Sequence, residues 1–78
     1  MSQPRFPIYE VEWLDSAHTP GWRAESTDYG TSICLTVGYL LHRDRAMVSL
    51  VQSQSQHGSV AEIISIPRVA VRSMKRLK

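Results

Sequence analysis

The sequence predicts an all-β domain: a small, strongly bent five-stranded barrel with a long first loop and one short helical turn before the last strand. Three observations predict it. Apolar and polar residues alternate with period two in several separate stretches, which marks half-buried strands. No stretch holds a helical period over the roughly 11 residues that such a test needs. Pro, Gly, Ser and Asp cut the stretches apart, and these residues form turns.

Met1–Pro7 has two prolines in seven residues and reads as a loose arm. Ile8–Leu14 is the first strand. Tyr9, Val11 and Trp13 point one way, and Glu10 and Glu12 the other. Asp15–Thr31 is a long irregular stretch containing Pro20-Gly21 and Gly30, with Trp22 and Tyr29 inside it. Loops of this length in small domains are usually functional or folded back on themselves.

Ser32–Leu41 is the clearest strand. Ile33, Leu35, Val37, Tyr39 and Leu41 alternate with Ser32, Cys34, Thr36, Gly38 and Leu40. Mid-strand Gly38 suggests a bulge or a sharp bend. His42–Ala46 is a charged turn. Met47–Ser53 is the third strand, with Val48 and Leu50 on one face and Met47 and Val51 on the other. Gln54–Ser59, with Gly58, reads as a hairpin loop. Val60–Ile66 is the fourth strand, and it carries apolar residues on both faces. Pro67 cannot donate to a ladder, so pairing stops there. Pro67–Ala70 fits one helical turn, Val71–Met74 a short last strand, and Lys75–Lys78 a basic tail.

That order of strands and connections describes a Src-homology-3-like barrel. Closure would spare short strands their exposed edges. An oligonucleotide-binding barrel is the nearest rival, but it carries a true helix between strands three and four, where only Gln54–Ser59 lies.

Seventy-eight residues make one domain, here 8–74 between the arm and the tail. So short a chain hides only about 60–65% of its unfolded surface, so self-association is a natural reinforcement. Cys34 is the only cysteine, which rules out an internal disulfide and fits a reducing compartment. With His18, His42 and His57 scattered, no metal ligand set is visible and no cofactor is expected. The N-terminus has no signal-peptide pattern, and no window approaches the ~20 apolar residues of a membrane span. The expected location is the cytoplasm.

Charge divides the chain. Residues 1–39 carry two cations against five carboxylates, a net of −3, and residues 40–78 carry seven against two, a net of +5. Such asymmetry points to a polar partner or to contact between copies.

The segments Val11–Ala17, Gly21-Trp22, Thr36–Leu40, Val51–Ser53 and Ile64–Arg68 together resemble a family of small uncharacterised bacteriophage and prophage proteins. The resemblance spans roughly Val11 to Met74 and rests on the order and spacing of short motifs. It implies a phage accessory role in a host bacterial cytoplasm. It assigns no activity and no catalytic residue.

Several residue groups could carry function. Asp15, Ser16 and His18 are the residue types of a hydrolase triad, but three partners within four residues cannot line up in relay. No acid, base and nucleophile set converges elsewhere, so an enzyme is not expected. Cys34 has no basic neighbour to activate it and reads as a small buried hydrophobe. Trp22 and Tyr29, with His18 in the same loop, are candidate protein-binding residues, since loop aromatics can anchor an interface. The alternative is that Trp22 folds down as a cap on the core. Arg68, Arg72, Lys75 and Arg76 are candidate nucleic-acid-binding residues, set against a solvated basic tail. The two-faced fourth strand needs a cover, from the N-terminal arm or from another copy. The expected function is therefore a phage-type protein-interaction module, self-associating, with a host or phage protein as partner. A nucleic-acid-binding barrel and a minor virion or assembly component are the alternatives.

Overall fold

The computed structural model describes residues 6–15, 21–22, 24–25 and 32–78. Five strands appear close to where alternation predicts them: β1 (Ile8–Asp15), β2 (Ser32–Arg43), β3 (Met47–Gln54), β4 (Val60–Pro67) and β5 (Val71–Arg76). A 3-10 turn, Arg68–Ala70, separates β4 from β5. All pairings are antiparallel, in one sheet of order β4-β3-β2-β1-β5.

The expected barrel is not formed. Among the described residues β4 pairs only with β3, and β5 only with β1, so β4 and β5 are the edge strands of an open sheet. It is nevertheless curled. The link from Pro67 to Val71 advances four residues and spans at most about 14 Å. Five flat strands at ~4.8 Å spacing would hold β4 and β5 about 19 Å apart. Two features oppose closure. Glu62 takes a left-handed backbone (φ 60°), which interrupts β4 at mid-length. The β1–β5 register shifts between Glu12 and Trp13, which leaves Arg72 as an extra residue on β5. A kinked strand and a bulged strand make poor partners.

β2 is the hinge of the architecture. Ser32–Tyr39 pairs with β1, whereas pairing with β3 runs only from Tyr39 to Arg43. The strand therefore changes partner at Tyr39, beside Gly38. The register irregularity lies further on, between Leu40 and His42, rather than at the glycine. What Gly38 provides is close approach: a Cβ there would stand 3.0 Å from the Val51 carbonyl oxygen and 3.2 Å from Leu50 Cβ.

Val11, Val48, Leu50 and Ile66 form the core, each at most 1% exposed. Tyr9, Trp13, Leu40, Ala70, Val71 and Met74 pack around them. Burying one such aliphatic side chain contributes about 1.5–3 kcal/mol. Pairing places Tyr9, Val11 and Trp13 opposite Gly38, Thr36 and Cys34. Large β1 side chains thus lie over small β2 ones, and Trp13 Nε1 donates to Thr36 Oγ1 at 2.9 Å. The small set of β2 faces the core, and its apolar set faces away.

The ends are fastened by hydrogen bonds. Phe6 N donates to Gln54 Oε1 (3.1 Å), and Gln54 Nε2 donates back to Phe6 O (3.0 Å). Beyond β5, Leu77 N donates to Ile8 O, and Ile8 N to Lys78 O. In the β3–β4 hairpin, Ser55 Oγ accepts from the His57 and Ser59 amides, and Gly58 supplies a positive φ of 89°.

Candidate functional site

Two surfaces combine unusual chemistry with defined geometry. The first is the N-terminal half of β2. Because residue faces alternate along a strand, turning Cys34 and Thr36 inward turns Ile33, Leu35 and Val37 outward. They are 57%, 64% and 49% exposed. Leu14, register partner of Ile33, extends the stripe onto β1. Among the described residues no strand pairs with Ser32–Val37 on the side away from β1. This half of β2 is thus both an apolar face and an unpaired edge.

The second surface gathers around the β2–β3 turn. Arg43, Asp44, Arg45 and Arg68 line a shallow, open depression. Asp44 organises it. Its Oδ1 accepts from the Ala46 and Met47 amides (2.8 and 2.9 Å), and its Oδ2 lies 2.8 Å from His42 Nε2. The His42 contact first, then the two amides, hold the Asp44 carboxyl down at about pKa 2. A carboxyl with a depressed pKa stabilises the fold above its ordinary value, and that contribution fades as pH falls toward 2. Arg68 N donates to Ala46 O (2.9 Å), which brings the start of the 3-10 turn against the hairpin. Arg68 also donates from its guanidinium to the Asp44 carbonyl at 3.3 Å. The Arg43 guanidinium lies 6.0 Å from the centroid of the Tyr9 ring. No carboxylate among the described residues pairs with Arg43, Arg45 or Arg68.

The four cations singled out in the sequence do not form one patch. Arg68 joins the hairpin depression. Arg72 pairs with Glu12 (3.4 Å), and Lys75 is register partner of Glu10, so both lie beside acids. Arg76 stands opposite Tyr9. Arg43 and Arg45 were the overlooked members. They lie in the charged turn His42–Ala46, but only the folded hairpin brings them to Arg68. Trp22 is fully exposed (101%) and does not cap the core. Tyr29 and His18 lie outside the described residues. Cys34 is half-buried opposite Trp13.

Among the described residues, no group of three or more His, Cys, Asp or Glu is placed to hold a metal ion. No helix among them is long and apolar enough to cross a membrane. No family model, curated protein or solved structure matches the chain.

Proposed function

We propose that the chain is a non-enzymatic interaction module that self-associates through the unpaired half of β2, two copies adding strand to strand. The observation that carries this is the contrast, among the described residues, between the two edge strands β4 and β5 and the unpaired half of β2. β4 is interrupted at Glu62. β5 is bulged and carries Arg72, Lys75 and Arg76. Bulges, kinks and cations are the devices that keep edges from pairing. Ser32–Val37 has none of them: no charge, no proline, no glycine, and apolar side chains at every second position. An unguarded edge of this kind is a template for another strand, and an antiparallel two-fold pairing makes the stretch complementary to itself. Cross-strand contacts among Ile33, Leu35 and Val37 would each add roughly 0.2–1 kcal/mol. The phage accessory setting belongs to this reading as an expectation from the segment layout. The dimer would be the form that meets a host or phage protein.

Sedimentation velocity over a concentration series, joined to amide hydrogen exchange, tests the proposal. The expected result is a dimer in which Ser32–Val37 amides are protected, and a monomer for Leu35→Lys with those amides exchanging fast. A wild-type chain that stays monomeric throughout would refute it. So would a dimer that Leu35→Lys leaves intact.

A further inference from the structure

We infer that the depression lined by Arg43, Arg45 and Arg68 is a binding site for the phosphate backbone of a polynucleotide. Three guanidiniums converge there from three separate pieces of chain: the end of β2, the hairpin turn and the 3-10 turn. Two are already positioned. Arg68 is tied to the Asp44 carbonyl, and Arg43 lies over Tyr9. Positioned guanidiniums lose less freedom when they bind a phosphate, and their planar forks match phosphate oxygens.

Among the described residues one acid, Asp44, lines the site, and a single carboxylate offsets at most one of the three arginine charges. Both Asp44 oxygens are engaged, Oδ1 by the Ala46 and Met47 amides and Oδ2 by His42. Three guanidiniums against one carboxylate leave a net positive charge that an outside anion would relieve. Elsewhere on the sheet the cations are different. Arg72 is paired with Glu12, and Lys75 stands beside Glu10. Among the described residues the hairpin arginines gather at one depression, whereas Arg72 and Lys75 stand beside acids.

The shape selects among anions. The depression is open and shallow, which does not enclose a small phosphate ester but does suit a chain of phosphates running across the surface. Arg76, opposite Tyr9, supplies a further cation next to the residue that Arg43 covers. Contacts to phosphates fix position and carry no sequence information directly.

The test is fluorescence anisotropy of labelled single- and double-stranded oligonucleotides, titrated at several salt concentrations. The wild-type chain is expected to bind and to weaken steeply as salt rises. The triple variant Arg43→Gln, Arg45→Gln, Arg68→Gln should lose about tenfold or more in affinity. Its salt slope should flatten by roughly one unit per arginine removed. Arg72→Gln, on the acid-paired cation, should bind like wild type. A triple Arg→Lys variant keeps the charge, and its retention of most of the binding would show that the loss is not unfolding. No binding of either oligonucleotide at low salt would overturn the inference, as would a triple Gln variant that binds unchanged. Binding of inorganic phosphate or a phosphopeptide with neither oligonucleotide bound would also overturn it.

Discussion

The two halves of β2 are both rich in apolar residues and meet opposite fates. From Tyr39 onward the strand has β3 beside it, and the β3–β4 side of the sheet contributes Val48, Leu50 and Ile66 to the core, each at most 1% exposed. From Ser32 to Gly38 it has β1 on one side only, and Ile33, Leu35 and Val37 are about half exposed or more. Alternation states that two faces differ. Which face is covered depends on what else arrives. On the first half, Tyr9, Val11 and Trp13 arrive over the small residues, and among the described residues no layer arrives over the large ones. The difference assigns the packed half to stability and the bare half to association.

The largest expected effect breaks that comparison at its centre. Leu50→Ala should destabilise the fold by about 3 kcal/mol, because the lost transfer energy is joined by a cavity that neighbours cannot fill. Leu35→Thr, an equally drastic loss of apolar surface, should shift stability by under about 0.5 kcal/mol when measured at concentrations where the chain is monomeric. Urea denaturation of both variants gives the answer. A cost above about 1 kcal/mol for Leu35→Thr in the monomer would mean that the outer stripe is packed after all.

This contrast also explains how much could be read from the sequence. Strand positions were legible because period-two alternation and turn formers are local. Pro67 ended β4, and Gly58 turned the hairpin, where their chemistry required. Closure was not legible, because it depends on whether β4 and β5 meet, and Glu62 bears no sequence mark of a left-handed backbone. The inward face of β2 was not legible for the same reason. Hydrophobicity alone favours Ile33, Leu35 and Val37, but register against β1 decides, and a one-residue slip would reverse every side chain. Arg72 and Arg68 are four residues apart in sequence yet serve different neighbourhoods. One bulges beside Glu12, and the other closes on Asp44 across the hairpin. The hairpin arginines became a site only through that second contact.

A smaller effect sharpens the boundary between the halves. Gly38→Ala places a methyl group 3.0 Å from the Val51 carbonyl oxygen and 3.2 Å from Leu50 Cβ. Backbone cannot yield as a long side chain does, so the two strands must part slightly. Overpacking of this kind costs about 1–3 kcal/mol, less the roughly 0.5–1 kcal/mol that alanine gains over glycine in a strand. A net loss of about 1–2 kcal/mol is expected, with the damage centred on the β2–β3 contact. Faster amide exchange at Tyr39–Arg43 than at Ile8–Val11 would locate it. A variant as stable as wild type would show that β2 hands over its pairing with room to spare.

The smallest effect concerns the one flaw in the packed half. Glu62 holds a left-handed backbone inside β4, while its neighbours keep constant register with β3: Ser53 with Ala61, and Val51 with Ile63. No residue is inserted there, so the kink is conformational. That conformation costs an L-residue roughly 1–2 kcal/mol, and glycine escapes it at an entropic cost of about 0.5–1 kcal/mol. Glu62→Gly should therefore stabilise the fold by about 0.5–1 kcal/mol, read as a higher urea midpoint. Glu62→Val should do the opposite, because a β-branched side chain tolerates positive φ least. If Glu62→Val instead proved stable and began to aggregate, β4 would have straightened into a pairing edge. That outcome would show the kink to be what keeps β4 from pairing with another copy.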